Sequence, residues 1–357
     1  MSIVRLFPHS FVFIALLCAG ACARIKTPPA PVAAPAPPSE PVSDSRTALV
    51  GFYNLENLFD TEDDPRTNDQ DFLPDSYKQW DQARYRTKLR NLASVITEIG
   101  GPNGPDVLGV IEMENKRVLE ELVAEPLLAD RHYQIVHFES PDPRGIDVAL
   151  LYKPERFTVT TSRVVPLPLP DTTMGTRDML VVDGLLQGEP ITFMVCHWPS
   201  RRGGEKALNR RLSVARQTRR VITDQLKAHP QARILLMGNM NDAPTDSSLV
   251  HVLNAAGKLH SPPQGQLYNA FYGLQEQGKG TMYFRSRPDV FDMMVLSGGL
   301  ATGSGLHFQP GSAAIYSPER LTSPQTKFPG EPLGSYIGRK YIGGYSNHFP
   351  VYLTLTK

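Results

Sequence analysis

The sequence predicts an α/β protein with a two-sheet core and helices on its outer faces. Nine short apolar runs recur along the chain, each bounded by Gly, Pro, Asn or Asp, as buried strands are. Two longer stretches repeat apolar residues at helical spacing and put charge on the opposite side. With 357 residues there is chain for a large core. Length alone would allow roughly two to three domains, but such sandwiches often use about 250 to 300 residues as one unit. No repeat of fixed period divides the chain.

The chain starts with Arg5, an apolar stretch from Phe11 to Leu17, and small residues ahead of Cys22, the layout of an export signal. That stretch is short for a spanning helix. Ala19, Gly20 and Ala21 before Cys22 resemble a bacterial lipobox, so residues 1–22 read as a leader, with lipidation at Cys22, ordinary cleavage near Ala21 or Ala23, or an uncleaved anchor as the alternatives. Either way the mature chain is exported, to the periplasmic or cell-surface side of the membrane or into the medium. Residues 23–45 are rich in proline and alanine and read as an extended linker.

From residue 46 to 357 the texture is that of one folded domain. The runs are "ALVGFYN", "DVLGVI", "YQIVHF", "IDVALLY", "MLVVDGLL", "ITFMVCH", "RILLMG", "FDMMVLS" and "FPVYLTL". Between them, Tyr85, Leu89, Leu92, Ala93, Ile96 and Ile99 share one helical face. A second helix puts Leu208, Leu212, Ala215, Ile222 and Leu226 inward and Arg210, Arg216, Arg220 and their neighbours outward. Cys18 and Cys22 fall in the leader, which leaves Cys196 without a partner, a buried thiol rather than a nucleophile. Lys plus Arg number 37 and Asp plus Glu 36, so the net charge of +1 excludes a strongly cationic nucleic-acid coat. Any anionic substrate must meet a local patch.

Polar residues stand where the strands end. Asn54 and Glu56, Glu112 and Glu114, His197, Asn239 with Asn241 and Asp242, Asp292, and Asn347 with His348 each follow or flank an apolar run. One such residue alone is more often a turn former or cap. Six groups in one chain point to a shared site. Carboxylates, amides and imidazoles together suit a hard divalent cation and a phosphate ester, whose transition state gains negative charge.

The boxes "NLENLFD", "EMEN", "RGIDVALLY", "HWPSRRGG", "GNMNDAP" and "GYSNHFPVY" resemble, in order and wording, those of the endonuclease/exonuclease/phosphatase superfamily, and more narrowly its secreted or lipid-anchored bacterial branch. The resemblance implies a four-layer α/β/β/α sandwich of two mixed β-sheets flanked by helices. It implies one Mg²⁺ or Mn²⁺ at Asn54 and Glu112, with Glu56 as a secondary acidic position and Asn347 on the metal side. It further implies that His197 assists at the leaving group, Asn241 aligns the phosphate, and His348, oriented by Asp292, meets the transition state. Arg144, Arg201 and Arg202 are candidates for phosphate contacts.

Two positions depart from that pattern. Asn239 and Asn347 stand where the family has aspartates. An amide keeps the shape but cannot take a proton, and losing a positioned base typically costs about 10²- to 10⁴-fold in rate. Asp242 points away from 239 and 241 along an extended segment and does not replace it. The reading is therefore a metal-dependent phosphoesterase with reduced activity. Its substrate would be a nucleic acid, a phospholipid head group or a small phosphoester, and the protein a monomer tethered through Cys22. The alternative is a catalytically impaired lipoprotein that binds phosphorylated ligands.

Overall fold

Each of the nine apolar runs overlaps a strand in the computed structural model, which describes residues 46–171, 175–258, 265–285, 287–324 and 330–357. The expected leader, Cys22 and the linker lie outside these residues. In chain order the strands are β1 Thr47–Leu58, β2 Val107–Met113, β3 Gln134–His137, β4 Asp147–Tyr152, β5 Phe157–Val165, β6 Met179–Leu186, β7 Glu189–His197, β8 Ile234–Asn239, β9 Ala255–Ala256, β10 Leu267–Asn269, β11 Met282–Phe284, β12 Arg287–Asp289, β13 Asp292–Leu296, β14 His307–Phe308, β15 Ala314–Ile315, β16 Tyr336–Ile337, β17 Lys340–Tyr341 and β18 Val351–Thr356. The α-helices are α1 Gln82–Ile96, α2 Lys116–Val123, α3 Glu205–Ala228, α4 Tyr272–Glu276 and α5 Gly298–Ala301.

Two seven-stranded sheets form the core. One runs β14-β18-β1-β2-β4-β3 with β15 also on β18, the other β5-β6-β7-β8-β13-β10-β9. Both are mixed: β1 pairs in parallel with β2 and β7 with β8, whereas β18 and β13 lie antiparallel to their neighbours. Period-two alternation separates the layers. Phe52, Val107, Ile111, Val148 and Leu150 of the first sheet meet Phe193, Val195, Leu235 and Met237 of the second. Tyr53, Leu108, Val110, Ala149 and Leu151 point the other way, onto Leu89 and Leu92 of α1 and Leu119 and Leu122 of α2. On the far side Val214, Ala215 and Ile222 of α3 join the inner core. The result is the expected four-layer sandwich.

The structure corrects the sequence in three places. Helix α3 is turned from its expected face: Leu208 is 40% exposed, and Arg211 is buried, with Nε 2.8 Å from Asp242 Oδ1. A buried carboxylate supplies the partner that lets an arginine replace a leucine there. Strand β5, "FTVTTSRVV", is a largely exposed edge whose polar residues gave no apolar run. Helix α2 is a short amphipathic segment whose Asn115 side chain accepts from Val118 N at 3.1 Å. Cys196 is free and fully buried, and burial pushes its thiol pKa up, as an inert thiol requires.

Two glycines allow close approach at the core. A Cβ on Gly238 would lie 2.1 Å from the Cys196 carbonyl oxygen, whereas one on Gly109 would lie 2.4 Å from Met237 Sδ, the movable part of a flexible side chain. Gly238→Ala should therefore destabilise by at least the ~1–3 kcal/mol typical of overpacking, and Gly109→Ala by less. Thermal denaturation of the two variants checks the order. Equal midpoints would remove the argument.

Candidate active site

The pairing of the strands brings distant polar residues to one edge. Parallel β1 and β2 end on the same side, where Asn54 registers with Ile111 and Glu112 follows at once. In the second sheet His197 registers with Asn239 across parallel β7 and β8, and Asn239 with Asp292 across antiparallel β8 and β13. Three candidate residues thus form one row. His348 lies ahead of β18, and Ser346 ties this segment to β1 by donating to the Asn54 carbonyl at 2.7 Å. Glu112 and His348 line the same cavity.

That cavity, of about 470 Å³, is lined by Glu112, His197, Asn239, Asn241, Asn347, His348, Arg144, Arg201 and Arg202 among others. Asn54 and Asp292 stand behind it, fully buried. Asn54 Nδ2 donates to Glu112 Oε1 at 3.0 Å and its Oδ1 accepts Glu56 N at 2.8 Å, so it fixes the carboxylate from behind. Asn57 N donates to the other oxygen, Oε2, at 3.2 Å. Glu56 faces a neighbouring cavity, with Oε2 taken by Lys88 Nζ at 2.9 Å and by the Ser335 N–H and hydroxyl at 2.8 Å each. Lys88 is itself buried, so this oxygen belongs to an internal ion pair.

The second sheet supplies the imidazoles. Asp292 Oδ2 lies 2.6 Å from His348 Nδ1. Burial works against a charge on His348, but Asp292, with Glu112 and Glu56, outweighs it and raises the pKa above the ordinary value. His197 goes the other way: burial first, then Arg177, Arg144 and His348, hold it well below. Its Nε2 is 3.6 Å from Glu112 Oε1, and its Nδ1 is buried without a hydrogen-bond partner among the described residues. Asn239 Oδ1 accepts Asn241 N at 2.8 Å while its Nδ2 faces His348 Nδ1 at 3.5 Å. Asn241 Nδ2 donates to the Trp198 carbonyl at 2.9 Å.

The arginines divide. Arg201 is committed to the protein, donating to the Asn241 carbonyl at 3.0 Å and to Asp246, with Phe291 beneath its guanidinium at 4.5 Å. Arg202 is exposed and has no partner among the described residues. Arg144 is half exposed and leans on Asp142 at 3.3 Å. Sequence reading missed Arg177, a buried cation that lines the cavity and is held by Asp142 at 2.9 Å and the Trp198 carbonyl at 3.0 Å. A single arginine just ahead of β6 gave no pattern to find.

Among the described residues, Glu112 is the one carboxylate lining this cavity. Mg²⁺ or Mn²⁺ needs one or two carboxylates and keeps several waters, so the donor set fits a cation held by Glu112, an amide oxygen of Asn347, water and substrate. A different trio, His137, Glu139 and Asp147, brings ligand-type atoms within 4.8 Å of one another. It lines neither cavity: His137 Nε2 and the Ser140 N–H each meet an Asp147 oxygen at 2.8 Å, which ties the β3–β4 turn.

A sequence model described as the Endonuclease/Exonuclease/phosphatase family matches residues 49–357. No curated protein matches the chain. Among solved structures, a humanized D. rerio TDP2 is 16% identical with a TM-score of 0.53, over 88% of this chain and 100% of that one. The human Nocturnin catalytic domain with bound sulfate is 15% identical with a TM-score of 0.51, over 87% and 94%. The Bacteroides thetaiotaomicron mannosyl-6-phosphatase Bt3783 is 15% identical with a TM-score of 0.51, over 87% and 100%. At such identities the likeness is one of fold, and it agrees with the two mixed sheets and their flanking helices. With the match across nearly all of the described residues, the chain belongs to the endonuclease/exonuclease/phosphatase family.

Proposed function

We propose that the protein is a metal-dependent phosphoesterase of the family's exported, lipid-anchored bacterial branch, working outside the cytoplasmic membrane and slowed by Asn239 and Asn347. The observation that carries the reading is the pair of imidazoles on one cavity with opposed proton affinities, beside Glu112 and four arginines. Environments that push paired groups apart are how one site holds an acid and a base at neutral pH. The family match and structural relatives named for phosphatase activity or for a single-strand DNA product agree with phosphate-ester chemistry.

Glu112 and Asn347 would hold the divalent cation, which when bound polarises the phosphate and lowers the pKa of water. The remaining work falls to the chain. Arg144, Arg202 and the Asn241 segment receive the phosphate oxygens. His348, whose proton affinity Asp292 raises against the effect of burial, donates toward the charge that grows on the phosphorus-bound oxygens. His197, neutral and with Nε2 3.6 Å from Glu112 Oε1, would assist at the leaving group. Asn239 orients but cannot accept a proton. The second reading, a lipoprotein that only binds phosphorylated ligands, is favoured by the same two amides.

Purified protein assayed on a phosphodiester and a phosphomonoester with Mn²⁺ or Mg²⁺ should show slow turnover that chelation abolishes and Glu112→Gln reduces at least ~100-fold. Asn239→Asp with Asn347→Asp should raise the rate toward the ~10²- to 10⁴-fold that a positioned base contributes. Turnover seen in the restored form alone would leave the binding reading standing.

The two imidazoles give a pH test. Ring-proton NMR should find His348 titrating above the ordinary histidine value and His197 well below it. Asp292→Asn removes the main attraction and leaves burial in place, so the His348 midpoint should fall. An unchanged midpoint would contradict the assigned cause.

A further inference from the structure

Beside the active-site cavity lies a second one of about 480 Å³, and the two share Asn57, Arg144, Arg202 and Asn347 as lining residues. It is built by the segment after β1 and by the β16–β17 hairpin. Its floor is aromatic: Phe59 stacks on Phe72 with centroids 4.3 Å apart, and Trp80 meets Phe72 edge-on at 6.0 Å. Trp80 Nε1 donates to the Phe59 carbonyl at 3.0 Å, and the Tyr336 hydroxyl to the Lys78 carbonyl at 3.0 Å, which locks hairpin to floor.

Into this cavity projects Lys78. Its ammonium sits 3.6 Å from the centroid of Phe72 and only 17% of the side chain is exposed. No hydrogen-bond acceptor among the described residues reaches it. The nearest carboxylate oxygen, Asp71 Oδ2, is 3.9 Å away and already receives the Tyr77 hydroxyl at 3.0 Å. The other acid in the lining, Glu56, is matched by buried Lys88. Lining the cavity and meeting no hydrogen-bond acceptor of the described residues, the ammonium has donors to offer an anion that enters.

We infer that Lys78 binds a second anionic group of the substrate, so that the ligand is a small, sugar-sized phosphate ester carrying another phosphate or carboxylate on the moiety beyond the reacting phosphate. This deepens the phosphoesterase reading and rests on it for the placement of the first phosphate. Cavity size suits a small ligand. A nucleic-acid strand, the other polyanion, would want open ring faces for its bases. Phe72 has one face covered by Phe59 and the other by Lys78, Trp80 is buried, and the exposed Tyr77 at the rim has the Arg339 guanidinium 5.5 Å from its ring centroid.

The test is calorimetric binding with chelator present, comparing glucose 1-phosphate, glucose 1,6-bisphosphate and a short single-stranded oligonucleotide on the full chain. The bisphosphate should bind about ten- to a hundredfold tighter than the monophosphate, the worth of a charged hydrogen bond. Lys78→Met, which keeps the packing on Phe72, should erase that ratio, and Lys78→Arg should retain it and guard against a folding defect. Equal affinities in the natural protein, or a ratio untouched by Lys78→Met, overturns the inference. Lys78-dependent preference for the oligonucleotide overturns it in favour of a strand. Lys78-dependent binding of the bisphosphate by a protein that turns over no ester would keep the inference and defeat the catalytic reading.

Discussion

The site depends on one topological constraint, that each sheet contains a parallel pair of strands whose C-terminal ends share an edge. Asn54 and Glu112 leave β1 and β2 there, as His197 and Asn239 leave β7 and β8. The antiparallel strands complete the edge from the other direction, since β13 begins with Asp292 and β18 is preceded by His348. Residues scattered over nearly three hundred positions then converge with no long loop to hold them. Strand register, set by the inward and outward alternation of the core, fixes which polar side chain follows the last apolar one.

At that edge the backbone is strained where the chemistry gathers. Glu56, Asn57, Glu112 and Asn241 all have φ between 50° and 62°, in the left-handed region that side-chain-bearing residues seldom adopt. The strain at Glu112 accompanies a register shift between Ile111 and Met113 that turns its carboxylate to the cavity instead of into the strand plane. The hydrogen bonds that hold these conformations come from Asn54 and Asn57 at one carboxylate and from Asn239 at Asn241. Packing elsewhere must over-determine such a segment, which is the service of the two-sheet core.

How much of this was legible in the sequence follows from what each residue does. The strands were plain because two packed sheets require continuous apolar runs, and the polar residues at their ends were plain because a run must stop somewhere visible. Strand β5 was not, since an exposed edge has no need of apolar residues. Arg211 was hidden because its partner Asp242 lies 31 positions away and only the fold joins them. Arg177, Lys78 and Lys88 were hidden for the same reason: a lone cation has no period, and its meaning lies in the carboxylate, carbonyl or ring it meets. Glu56 was visible as a residue, but its Lys88 and Ser335 partners were not.

The amide at 239 has a geometric consequence beyond the missing proton acceptor. Its oxygen already receives the Asn241 N–H, which leaves its N–H₂ turned toward His348 Nδ1, the nitrogen that also meets Asp292. With His348 protonated, that is donor against donor, and the 3.5 Å separation is the outcome. Turning the amide over would satisfy His348 and set a donor against the Asn241 N–H instead. A carboxylate would accept from both. Asn239 therefore holds the loop or serves the histidine but not both, and the structure keeps the loop at Asn241 while leaving Asp292 as the sole anion, among the described residues, in contact with His348.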